Sequence, residues 1–240
     1  MHITPISNNL SINKNNRIEK TSFGHGGEGF WKSDYSTKDK WIVAGTTALG
    51  VTGSLLALAK YKGHPLNPKS FMKYLKNTDF LCKEIITMGI GTCLGGLVGG
   101  YIIDKDKQNR KAKLREAVMQ IGNISIPIAI VDLADKLCNY AKVSDKTAKG
   151  KATRIVASIT AIISGIYLAN ATMNKLSNYI FKNKSQERDV QATDLSPHLD
   201  DVLASAKYVA KDSQVVHYVQ RIIPFALIVA GNEIGNKTAN

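Results

Sequence analysis

Three stretches of this chain, residues 41–59, 85–103 and 155–173, each run for nineteen residues without a charge. As helices they would rise about 28 Å, close to the depth of a bilayer's hydrocarbon core. A buried helix of a soluble protein is the competing reading, but these runs have no polar face to turn toward water. The expected fold is therefore all-α, a multi-pass transmembrane bundle of about five apolar helices.

The walls of the runs support this. Lys38 and Lys40 precede the first and Lys60 and Lys62 follow it, while Trp41 and Tyr61 stand at its edges, where amphipathic rings settle among headgroups. The second run stops at Asp104-Lys105-Asp106-Lys107 and is followed by Arg110, Lys111, Lys113 and Arg115, which read as a basic connection.

Two further blocks, 117–135 and 215–234, are less pure. The first carries Gln120, Asn123, Ser125 and Pro127, and its apolar part, 117–131, would rise only about 22 Å, short of a full span. The last carries Gln220, Arg221 and Pro224 and closes on Asn232 and Glu233. Residues 41–240 thus make one helical membrane domain.

Residues 1–40 are polar, rich in Asn, Ser and Lys, and cannot bury enough apolar surface to order themselves, so a disordered tail is expected. No apolar segment follows a basic start there, so the tail is not a cleavable signal peptide, and the first run would serve as the signal-anchor. Two short amphipathic helices are expected, the first on the lipid surface or as a solvated connector, the second packed on the bundle or the lipid surface. One begins at Asn67-Pro68 with Phe71, Met72 and Leu75 on one face, and the other at Ser196-Pro197 with Leu199, Val202, Leu203, Ala206 and Val209 on one side.

The net charge of +13 admits nucleic acid or anionic lipid as partner. The Lys and Arg residues lie between apolar blocks rather than along a base-reading face, so a bilayer with anionic headgroups is expected and nucleic acid is not. The basic residues weigh toward the side of the tail, which places the tail in the cytoplasm and the bundle in a bacterial-type cytoplasmic membrane. Cys82, Cys93 and Cys138 form no CxxC, and the five histidines form no i,i+4 pair, so neither a metal nor another cofactor is expected.

Small residues are the most specific pattern. Gly91, Gly95 and Gly99 recur every four residues with Gly96 and Gly100 one step on, and Ala157, Ala161, Gly165 and Ala169 repeat the stripe later, as Thr46, Gly50 and Ser54 do earlier. Such stripes let helix backbones approach closely where lipid supplies no hydrophobic drive. Over about ten residues the pattern resembles the glycine zippers of pore-forming and membrane-packing segments.

An internal echo links residues 126–131 (IPIAIV) to 223–228 (IPFALI) and suggests two parallel copies of a helix pair. Pro127 and Pro224 would each free a backbone carbonyl. Asp132, Asp135, Arg221 and Glu233 are the ionisable groups nearest membrane depth; they either form an intramembrane polar site or mark where two helices leave the bilayer, with Asp132 and Lys136 paired at i,i+4.

Two functions follow. One is a structural or assembly-forming membrane protein that packs, also as a homo-oligomer, through its small-residue stripes. The other is a small transporter or channel with a site on the two Pro-containing helices. No nucleophile, base and orienting group stand together, so an enzyme is not expected.

Overall fold

The computed structural model describes residues 35–78, 80, 82–182, 189–190 and 221–239. Among the described residues all regular structure is helical: α1 (Thr37–Tyr61), α2 (Pro68–Asn77), α3 (Cys82–Ile103), α4 (Lys107–Tyr140), α5 (Ala148–Phe181) and α6 (Ile223–Asn236). Four of them, α1, α3, α4 and α5, are long and apolar enough to cross a membrane. Residues 1–34 of the expected tail, the amphipathic segment at 196–209 and the start of the last block at 215–220 lie outside the described residues.

Each long helix extends beyond its uncharged run, because the backbone stays helical until a capping group takes over its free amides. Ser36 Oγ accepts the Asp39 amide at 3.2 Å and Asn67 Oδ1 the Ser70 amide at 2.8 Å. The Asp106 carboxylate accepts the Gln108 amide at 2.9 Å, and Thr147 Oγ1 the Gly150 amide at 3.1 Å. At its far end α5 stops where Lys182 turns into the left-handed region, with φ 53°.

The largest departure from expectation is α4. The sequence suggests a short, Pro-broken block behind a basic loop; instead 34 residues form one continuous helix that starts at Lys107 and carries Pro127 inside it. The supposed loop is the first turns of the helix, and a length of about 51 Å exceeds what a span needs. Pro224 breaks nothing either, since it lies in the first turn of α6, where a missing amide hydrogen costs little.

α3 is the hub. Its glycines divide between two neighbours, and at each the close approach itself requires the residue. A Cβ placed on Gly95 would fall 2.4 Å from the Thr46 carbonyl oxygen of α1, and one on Gly91 would fall 2.6 Å from that of Gly50. On the adjacent face, a Cβ on Gly96 would fall 2.0 Å from the Gly231 carbonyl oxygen of α6, and one on Gly100 would fall 2.9 Å from the Gly235 Cα. α6 contributes its own pair, Gly231 and Gly235, four residues apart and also pressed on Thr47 and Val43 of α1.

α4 packs on both α3 and α6, and α5 is laid along α4 as a hairpin. The apolar core runs from Val51, Leu55 and Leu58 through Met88 and Ile124 to Leu227 and Ile234. α2 caps one end by burying Tyr74 completely beside the core, with Phe71 and Leu75 half-buried, while Met72, expected on that face, is 63% exposed.

The helix directions correct the expected repeat. Arg221, before α6, bonds the Lys76 carbonyl at the α2 end, and Gly235 and Lys237 sit on Lys113 near the start of α4. α6 therefore runs antiparallel to α4, and the two IP segments are not parallel copies. One lies in mid-helix against Gly165 and the other opens a helix.

Candidate functional site

Along α4 the side chains at 113, 116, 120, 123 and 127 alternate steps of three and four residues, which aligns them on one face. They are Lys113, Glu116, Gln120, Asn123 and Pro127, and all five are buried. At Lys113 and Gln120 this face meets α6, whose buried side brings Glu233 and Asn236, while Pro127 packs on Gly165 of α5. Two polar groupings result, about two helical turns apart.

The outer grouping centres on Lys113, whose side chain is completely buried. Its Nζ donates to the Tyr35 hydroxyl at 2.8 Å and to the carbonyl oxygens of Gly235 at 2.9 Å and Lys237 at 2.6 Å, with the Asp104 carboxylate at 3.7 Å. The ammonium also lies 4.5 Å from the centre of the Tyr35 ring. The Tyr35 hydroxyl donates to Asp104, whose other oxygen accepts the Asp106 amide at 2.9 Å. Arg110 donates to the Asp104 and Tyr101 carbonyls and so ties the end of α3 to the start of α4.

Charge preferences at this end follow from those bonds. Burial and the hydrogen bond to Asp104 push the Tyr35 hydroxyl above its ordinary pKa. Burial also acts to raise the Asp104 carboxyl, but hydrogen bonds from Tyr35, the Asp106 amide and Asn109, with the Lys113 charge, outweigh it and hold the group below its ordinary value.

The inner grouping joins α4 to α6. Gln120 Nε2 donates at 3.1 Å to Glu116 Oε1, one turn earlier on its own helix, and at 3.1 Å to Glu233 Oε2 on α6. All three residues are buried, Gln120 at 1% exposure, and its Oε1 has no hydrogen-bond partner among the described residues. Such an arrangement gathers oxygen donors from two helices around one amide, a setting suited to a small cation.

The other expected site residues lie apart from it. Asp132 pairs with Lys136 at 2.7 Å, both substantially exposed, and Asp135 receives Arg154 at 2.9 Å where α4 turns into α5. Arg154 also donates to Asn139 and the Val143 carbonyl, closing that turn. Arg221 lies 5.9 Å from the Phe80 ring. Pro127 packs on Gly165, where an added Cβ would fall 2.7 Å from the proline Cα. Of the expected polar set only Glu233 enters the buried cluster, alongside Glu116 and Gln120, which alternating three- and four-residue spacing on one helix face would have marked.

The expected packing residues divide by face. Gly91, Gly95 and Gly99 lie toward α1, Gly96 and Gly100 toward α6, and Ala161, Gly165 and Ala169 are buried on α5, which packs along α4, with Ala157 half-buried. No protein family, curated protein or solved structure matches the chain.

Proposed function

We propose that this chain is a multi-pass membrane protein that handles a small ion, as a transporter or channel, at the Glu116–Gln120–Glu233 cluster. The observation that carries the reading is the Gln120 amide bridging two buried carboxylates from two different helices. Ionisable groups at that depth in a bilayer are expensive to retain and most often serve ions or protons. The four long apolar helices supply the membrane anchor, and the Lys-rich ends face anionic headgroups, with the Tyr35 end cytoplasmic.

The experiment is flux in liposomes reconstituted with the full chain, with proton- and alkali-cation-sensitive dyes. Glu116→Gln and Glu233→Gln should each abolish the flux, whereas Asp132→Asn, at the exposed rim, should leave it unchanged. Wild-type liposomes no more permeable than protein-free ones would refute the reading.

A structural role is the second reading, favoured by the backbone-to-backbone glycine contacts of α3. Those contacts are spent inside one chain. Self-assembly would therefore use another surface, the open groove of about 600 Å³ between the outer faces of α1 and α3, where a Cβ added at Gly53 would meet nothing within 4 Å. Under this reading Gly53→Leu shifts the cross-linked size of the detergent-extracted protein, and no change in size would exclude assembly through the groove.

A further inference from the structure

We propose that Glu116, Gln120 and Glu233 bind a hard, oxygen-liganded metal cation, with the Gln120 amide turning over to bind it. The proposal rests on the ion-handling reading above and names its substrate class.

The geometry starts from one nitrogen. Glu116 Oε1 and Glu233 Oε2 both lie 3.1 Å from Gln120 Nε2. Two hydrogens of one amide diverge by about 120°, so the carboxylate oxygens stand roughly 5 Å apart. A cation on the bisector, about 2.4 Å from the amide atom, would stand about 2.8 Å from each, so carboxylates drawn in by a few tenths of an ångström would complete the coordination of a sodium- or calcium-sized ion.

The second observation is the Gln120 Oε1 itself. It is the other terminus of the same amide, on a side chain 1% exposed, and it has no hydrogen-bond partner among the described residues. The terminal torsion of a glutamine is broad and two-fold, so a half-turn exchanges Oε1 and Nε2. In one orientation the amide hydrogens hold the two carboxylates together; in the other the amide oxygen points between them as a third ligand. Asn236, buried one turn after Glu233 on α6, carries another oxygen, Oδ1, that lacks a partner among the described residues.

Donor chemistry restricts the cation. Carboxylate and amide oxygens suit alkali and alkaline-earth ions, while softer transition metals favour imidazole and thiolate. No group of three or more His, Cys, Asp or Glu suited to a metal occurs among the described residues. The Lys113 ammonium, on the same helix face, is directed onto the carbonyls of Gly235 and Lys237. Because the ligands come from α4 and α6, binding must clamp those helices and raise stability.

The test is thermal unfolding of the full chain in detergent at constant ionic strength and pH, in choline chloride against sodium, potassium, lithium, magnesium and calcium chlorides, with direct binding of the best cation measured by equilibrium dialysis. The expected result is a saturable rise in melting temperature with one class of cation, one ion bound per chain, and affinity at least tenfold weaker in Glu233→Gln and Gln120→Leu. Dialysis on the wild-type chain keeps the test valid where a variant does not fold. Equal melting in every salt with no bound ion would overturn the site, as would stabilisation that follows pH alone, which would mark a proton site instead. Saturable binding without flux would uphold the site and sink the transport reading; flux indifferent to Gln120→Leu, with no ion bound, would do the reverse.

Discussion

The Lys113 ammonium, two turns into α4, donates a 2.9 Å hydrogen bond to the carbonyl of Gly235, at the close of α6, across 122 positions of chain. The same nitrogen holds the Lys237 carbonyl and the Tyr35 hydroxyl, and the Ala239 amide donates to Asn109 at 2.9 Å. One buried cation therefore fastens the segment before α1, the start of α4 and the segment after α6.

Removing that cation leaves the Asp104 carboxylate and two carbonyls inside the bundle without their ammonium. Lys113→Met should destabilise the protein by about 3–5 kcal/mol, the usual cost of breaking a buried ion pair from one side. Thermal unfolding in detergent, with limited proteolysis after residue 237, reads the loss. An unchanged melting temperature would show that the Lys113 contacts contribute nothing net.

Gly96 and Gly53 are both helical glycines, yet their alanine variants should move stability in opposite directions. An added Cβ at Gly96 meets the Gly231 backbone at 2.0 Å, so Gly96→Ala must push α3 from α6 and cost about 1–3 kcal/mol. Gly53 has nothing within 4 Å, and Gly53→Ala should gain up to about 1 kcal/mol from helix propensity. Paired unfolding curves in the same detergent decide it, and equal effects at the two sites would contradict the packing described.

The Tyr35 end should be stable over a defined pH window. Asp104 titrates below its ordinary value in the folded chain, so its contribution is full above about pH 4, its unfolded pKa, and is lost as pH falls through the lower folded value. Tyr35 titrates above its ordinary value, so its contribution is full below about pH 10 and is lost as pH rises through the folded value. Phenolate absorbance near 295 nm, wild type minus Tyr35→Phe, should show one tyrosine ionising only with alkaline unfolding. Its ionisation near pH 10 in the folded protein would be inconsistent with the Asp104 bond.

Arg154 has the same fastening role at the opposite end, with weaker consequences. Its partner Asp135 is 41% exposed on its side chain, so Arg154→Met should cost only about 1–2 kcal/mol. The change should appear as faster amide exchange between Cys138 and Gly150, with α1 and α3 unaffected. Uniform exchange through the whole bundle would argue instead for a global role.

Much of the architecture is legible in one dimension. Hydropathy locates α1 and α3 to within four residues and the middle of α5, which starts seven residues before its uncharged run and ends eight after it, because a long uncharged run has few alternatives to a helix, and the i,i+4 spacing of Gly91, Gly95 and Gly99 marks a close helix contact. α4 is harder to read: Lys113, Glu116 and Gln120 look like a solvated edge until another helix covers them. A hydropathy window averages over all faces of a helix and so discards the face that carries the polar line.

What the sequence by itself determined is local: which segments are apolar and helical, and which small residues share a face. Those properties depend on near neighbours in the chain and on the helical period. Tertiary structure alone decided that Gly96 and Gly100 serve α6 while Gly91, Gly95 and Gly99 serve α1, that α6 runs antiparallel to α4, and that Glu233 joins Glu116 through Gln120. Each of those choices sets segments far apart in the chain against one another, and the close approach of glycine backbones and the hydrogen bonding of buried charge select among them only once the helices have met.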